Sequence, residues 1–284
     1  MNNKGKAALL TIVSVGSGSI LDGFSKLLSE RLPTDEIIAG RYFFACLTML
    51  PLLFFTNYRK DFRTKRLGLH FVRGVLFCSA LLLWVIGLKT TMIATTTLIG
   101  FTNYLFFIIL AFVFLKENVS LKAWLCTVIS FLSLFFVIDF NELSWTSGTV
   151  ILLGSATLFA LSDIINKKYA NNETMIAMSF YSNLFAFFVL IVPVYSHFVV
   201  PSLREILLFL CLGFGSNFLL FTILKAYTLA EANFLTPFKF FEFISGLIAG
   251  FLFFREVPDL NNYISLVIIL ACNIYLLVSE KNRA

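Results

Sequence analysis

Apolar residues fall into ten blocks along this chain, at about 7–29, 35–56, 68–88, 91–115, 119–138, 146–167, 173–196, 203–224, 232–254 and 260–279. The connections between them are short and hold most of the charge. A helix needs about 20 apolar residues, at about 1.5 Å each, to cross the hydrocarbon core of a bilayer. The pattern therefore predicts an all-α integral membrane protein with ten transmembrane helices. The first block runs long for a cleavable signal segment, lacks a convincing A-x-A site and is followed by nine more, so it reads as a retained helix. The longest connection, Asn57 to Leu67, is a basic loop and offers no soluble domain.

The blocks repeat. Phe112-Val113-Phe114-Leu115-Lys116-Glu117 closes the fourth, and Phe251-Leu252-Phe253-Phe254-Arg255-Glu256 closes the ninth, 139 residues later. Asp22 and Lys26 correspond to Asp163 and Lys167 at an offset of 141, and Pro51 to Pro193 at 142. Three pairs at nearly one offset divide the chain into halves, 1–142 and 143–284, joined through the acidic link Asp139 to Glu142. Five crossings per half is an odd number, so the second half enters the membrane upside down. Inverted repeats of this kind build two nearly equivalent packings around a site near the midplane, the basis of alternating access.

Composition agrees. Hydrophobic residues make up 59% and charged residues 13%, against about 25% charge in a soluble domain. The net charge of +6 needs no nucleic-acid partner, because the basic residues lie in short loops where membrane topology accounts for them. With the N-terminus inside, fourteen Lys and Arg fall on the cytoplasmic side, Arg283 among them, and five, Lys89 among them, on the other, which predicts both termini in the cytoplasm. Trp124, Trp145, Tyr58, Tyr195 and Tyr263 lie near predicted helix ends, where aromatic rings anchor at the interface. Cys46, Cys78, Cys126, Cys211 and Cys272 lie in apolar blocks without C-x-x-C spacing, and read as small core residues.

Enzyme motifs are missing: no P-loop, no H-E-x-x-H, and two histidines, His70 and His197. ATP hydrolysis, a metal site and a cofactor are not implied, and energy is expected to come from gradients. Gly16-Ser17-Gly18-Ser19 reads as a close-packing stripe in the first helix, not a nucleotide loop. The sharpest chemical signal is Lys239 and Glu242, two charges in the ninth block, each costing about 2.5–3.5 kcal/mol at a helix centre unless it faces protein or a wet cavity. Three residues apart, they share a helix face and can pair. Pro237, just upstream, frees a backbone carbonyl at the same depth. Two readings stand: a solute site, or an ion pair buried between helices.

Asp22 with Lys26, and Asp163 with Lys167, have i, i+4 spacing. They form either two symmetric clasps, or counter-charges and proton carriers facing a cationic solute. Arg41 either snorkels to the interface or reaches a substrate carboxylate, and Arg73 is expected to anchor at the inner leaflet. Trp84, Tyr104 and Tyr181 offer flat faces at membrane depth, with Tyr104 beside Asn103 the best placed to stack on a ring or face a cation. Phe240 and its Phe neighbours make the wall around Lys239 and Glu242 apolar. The mixture suits an amphoteric small molecule with a flat ring.

Ten helices, the inverted five-helix repeat and the Phe-rich runs ending in Lys116-Glu117 and Arg255-Glu256 resemble the drug/metabolite transporter superfamily, EamA-like branch. In the second half, Asp163-Ile164-Ile165-Asn166-Lys167-Lys168, Glu173-Thr174-Met175-Ile176, Leu224-Lys225-Ala226, Thr236-Pro237-Phe238-Lys239-Phe240-Phe241-Glu242 and Glu256-Val257-Pro258-Asp259 resemble the S-adenosylmethionine uptake transporters of obligate intracellular bacteria. The first half departs from the pattern: Tyr104 stands where the superfamily usually has proline, and Lys239 stands in place of arginine. The resemblance implies a multi-pass carrier of a bacterial inner membrane, monomer or homodimer. It would import S-adenosylmethionine in exchange for S-adenosylhomocysteine, or move another small metabolite such as an amino acid, nucleobase or flavin.

Overall fold

The computed structural model describes residues 3–88, 91, 93–117, 120–137, 146–255 and 257–281, all of which lie in helices or short connections. Lys89, Asp139, Glu142, Trp145, Glu256 and Arg283, used in the sequence reading, lie outside the described residues, as does the junction between the halves. In chain order the helices are α1 (Asn3–Leu28), α2 (Thr34–Met49), the single turn α3 (Thr56–Arg59), α4 (Leu67–Leu88), α5 (Ile93–Leu110) and α6 (Leu121–Ser133). They continue with α7 (Ser147–Tyr169), α8 (Met175–Tyr195), α9 (Leu203–Leu229), α10 (Ala232–Lys239), α11 (Phe241–Phe254) and α12 (Leu260–Lys281). Nine stretches among the described residues are long and apolar enough to cross a membrane, and Leu121–Phe136 is a shorter apolar helix. The fold is the expected membrane bundle, with two differences. The fifth crossing is shorter than its apolar block. The ninth is two half-helices, α10 and α11, meeting at Phe240.

Each half packs mainly on the other. α1 lies against α9, and α7, its counterpart, against α4; α2 lies against α9, and α8 against α4; α1 meets α10 and α11, as α7 meets α5. Exchanging the halves exchanges each contact with its twin, which is what an internal two-fold requires. Side chains repeat the relation. The Ser14 hydroxyl donates to the Leu219 carbonyl (2.9 Å), and the Ser155 hydroxyl to the Ala80 carbonyl (2.6 Å). Lys116, after the π-helical turn Ala111–Leu115 that extends α5, and Arg255, after α11, both take left-handed backbone, φ 54° and 57°, as residues capping a helix C-terminus do.

Small residues set the closest approaches, because in lipid helices gain by packing rather than by escaping water. A Cβ at Gly213 on α9 would come within 2.4–2.6 Å of the Phe44–Ala45 backbone on α2, and one at Gly74 on α4 within 2.8 Å of the Ser182 carbonyl on α8. Backbone cannot swing aside as a side chain can. Gly213→Ala is expected to push α2 from α9 and cost about 1–3 kcal/mol, seen as a lower Tm in detergent. Gly68→Ala, where the added carbon meets nothing, is the control.

Candidate functional site

Between the halves lies a cavity of about 560 Å³, lined from α1, α2, α4, α5, α7, α8, α9, α10 and α11. Helical spacing aims its polar side chains inward. Ser14, Gly18 and Asp22 follow i, i+4, i+8 on α1, and Asp163 and Asn166 lie within one turn of α7. Of the ten residues singled out in the sequence, Asp22, Arg41, Trp84, Asn103, Tyr104, Asp163, Lys239 and Glu242 line the cavity. Phe240 sits behind the wall, fully buried, stacked on Phe101 at 5.7 Å and edge-on to Tyr104 at 5.3 Å, so it fixes the tyrosine ring. Tyr181 stacks on His70 at 5.6 Å, away from the lining.

The expected Lys239–Glu242 pair does not form. The helix breaks at Phe240, so the two charges belong to different half-helices and take different partners. Lys239, the last residue of α10, is ion-paired to Asp163 of α7, while Glu242, in the first turn of α11, accepts a hydrogen bond from the Tyr104 hydroxyl of α5. Each position also suits the helix dipole, cation at a C-terminus and anion at an N-terminus. Asp163 and Lys167 likewise form no clasp. Lys167 donates to the carbonyls of Tyr227 (2.7 Å) and Ala230 (2.5 Å) and lies 3.5 Å from Glu117, which also accepts from the Ala232 N–H (2.6 Å).

Both arginines face the cavity, Arg73 against expectation. Arg41 faces the cavity and donates from Nε to the Ser216 hydroxyl (2.7 Å), with its charge acting on Asp22. Arg73, expected at the interface, is 3% exposed. It donates to Asn166 Oδ1 (2.5 and 2.9 Å) and to the Met178 carbonyl (2.8 Å), tying α4 to α7 and α8 at one end of the cavity. An anchor needs an aqueous path, whereas these acceptors hold Arg73 inside the protein.

The walls are flat and the floor is polar. Trp84 lies across α5 at Gly100, where a Cβ would come within 2.9 Å of the indole. Tyr42, Phe77 and Phe159 form a second aromatic wall, with ring centroids 6.4 and 5.3 Å apart. Among the described residues, three buried lining atoms have no hydrogen-bond partner: Asn103 Oδ1, Tyr42 Oη and Ser182 Oγ. A buried polar group left so is costly, so these atoms are poised for a ligand or water. The arrangement brings three carboxylates, three cations, flat faces and free polar atoms into one chamber.

A sequence profile of the EamA-like transporter family matches residues 5–139 and again residues 146–278. The chain belongs to the EamA-like transporter family. Two tandem matches agree with the paired helix contacts of this EamA-like fold. The chain is 32% identical to the "S-adenosylmethionine uptake transporter" of Rickettsia bellii over 95% of its own length and 92% of that protein's. It is 25% identical to a "Riboflavin transporter" of Rhizobium johnstonii over 97% and 92% of the two chains. One solved crystal structure superposes with a TM-score of 0.82 over 99% of both chains at 11% identity, a likeness of fold alone.

Proposed function

We propose that this protein is a secondary carrier that imports S-adenosylmethionine, in exchange for S-adenosylhomocysteine, by alternating access between its two halves, 1–142 and 143–284. The observation that carries the reading is the composition of the cavity: carboxylates beside aromatic faces, with neutralising cations and unpartnered polar atoms. The substrate brings a sulfonium, a zwitterionic amino-acid end and a flat adenine, and each finds its chemical complement there. Lys239, Glu242, Asp22, Asp163, Tyr104, Asn103, Trp84 and Arg41 are the proposed substrate contacts. Phe240 acts through Tyr104, and Tyr181 is left outside the route. The Rickettsia relative supports this substrate over others. No chemical change of the solute is proposed.

The bias of Lys and Arg supports both termini on the cytoplasmic side of a bacterial inner membrane. A solute of net charge +1 is then drawn inward by about 2.3 kcal/mol per 100 mV of inside-negative potential. Uptake of radiolabelled S-adenosylmethionine by proteoliposomes tests the reading. Saturable uptake, accelerated by S-adenosylhomocysteine loaded inside, is expected, and its absence overturns the exchanger. The riboflavin-carrying relative and the Trp84 wall favour a flavin as the second reading. Labelled riboflavin is taken up in that case, and excess methionine derivatives do not block it.

A further inference from the structure

The Lys239 ammonium occupies an unusual place. It lies 3.8 Å from the centroid of the Phe107 ring, 5.5 Å from that of Tyr104 and 5.6 Å from that of Tyr227, and is ion-paired to Asp163. Lys239, Tyr104 and Asp163 line the main cavity, whereas Phe107 and Tyr227, both buried, do not. The rings therefore form a side chamber that opens toward the cavity, and the lysine plugs it. A structural ion pair needs only the carboxylate. Three aromatic faces around one positive centre add attraction for a cation whether or not it can donate hydrogen bonds, which is how proteins hold onium groups.

We propose that this chamber is a sulfonium-binding site and that Lys239 is a tethered substitute, filling the chamber whenever the passenger brings no positive sulfur. The inference rests on the substrate proposed above. On the inward trip the sulfonium of S-adenosylmethionine displaces the ammonium. On the outward trip the sulfur of S-adenosylhomocysteine is a neutral thioether, and the ammonium returns. Asp163 thus faces a cation on both trips, which matters because an unpaired carboxylate carried through a dry intermediate is costly. The displaced ammonium has a second carboxylate in Glu242, three residues on across the break at Phe240 and lining the same cavity. The break supplies the hinge, since residues on either side of it belong to different helices.

Trimethylsulfonium, which carries the cation and nothing else of the substrate, is the probe for the purified full-length chain. Calorimetry is expected to give weak binding to wild type and at least about tenfold tighter binding to Lys239→Met, which shortens the side chain by one atom and removes the competing ammonium. The gain is expected to disappear when Asp163→Asn or Phe107→Leu is added. Equal affinity in wild type and Lys239→Met, or a gain that survives Phe107→Leu, overturns the proposal. Should Lys239→Met be too unstable to titrate, its Tm is expected to rise with trimethylsulfonium more than that of wild type, and an equal rise overturns it. In proteoliposomes, Lys239→Met is expected to slow exchange of external S-adenosylmethionine for internal S-adenosylhomocysteine at least about tenfold more than exchange against internal S-adenosylmethionine, and equal slowing overturns the substitute role. Failure of wild type to carry S-adenosylmethionine refutes the substrate reading alone, because the trimethylsulfonium titration still decides the chamber.

Discussion

Asp163→Ala is expected to abolish S-adenosylmethionine uptake and to destabilise the protein by about 3–5 kcal/mol, the range for breaking a buried ion pair from one side. Lys239 is 3% exposed, so removing its carboxylate leaves a buried positive charge among rings without its ion-pair partner. Asp163→Ala/Lys239→Met is expected to recover most of the lost stability, because no unpaired charge then remains. Uptake is expected to stay at least about 100-fold below wild type, because the sulfonium has lost its carboxylate. Thermal unfolding in detergent reads the first effect and initial rates of labelled uptake the second. Recovery of both together would make the pair a structural device with no part in transport.

The sequence already held the crossings and the repeat, since both depend on strong local signals: apolar blocks of bilayer length, and side chains recurring at one offset. It held most of the cavity lining too, because an ionisable group at membrane depth must face protein or water, so Asp22, Asp163, Lys239 and Glu242 were conspicuous against their neighbours. What it hid was partnership. Spacing of three or four predicts a pair only on an unbroken helix, and the break at Phe240 sends Lys239 to α7 and Glu242 to α5. In the same way Lys167 turns to Glu117 and to carbonyls at the end of α9, leaving Asp163 for Lys239. Arg73 was misread because its distance from the end of the apolar block suits snorkelling, and only the approach of Asn166 and Met178 from other helices shows it held inside. Asn166 itself, one turn from Asp163's neighbour Ser162, was visible as a polar step along one face of α7.

The identical side-chain roles in the two halves are not symmetric in charge. Asp22 and Asp163 are counterparts at 141 residues, yet Asp163 has a lysine in the ninth crossing, while Asp22 has the charge of Arg41 from the second. In the proposed exchange the ligand-dependent step lies on the Lys239 side of the cavity.

Arg73→Met is expected to open the end of the cavity at which α4 begins, on the proposed cytoplasmic face. The guanidinium joins three helices at once, through Asn166 on α7, the Met178 carbonyl on α8 and its own α4. Methionine fills much of the same volume and supplies no donor, so Asn166 Oδ1 is orphaned at about 1–3 kcal/mol and the Met178 carbonyl keeps only its helical partner, partly offset by removal of a buried charge. Arg73→Lys keeps one donor and the charge but loses the fork that grips Asn166, so it is expected to fall between wild type and Arg73→Met. In a background with the five native cysteines replaced, a thiol at Ser162, which is 4% exposed on the cavity wall, reports the seal. Labelling by an impermeant maleimide from the cytoplasmic face of inverted vesicles is expected to rise at least about tenfold in Arg73→Met, because loosening by about 1.4 kcal/mol already shifts an open–closed equilibrium tenfold. Uptake and efflux of preloaded substrate are expected to fall together, since an exchanger biased to open inward returns to the outer face less often. Unchanged labelling with unchanged transport would mean that Arg73 braces the bundle without closing it.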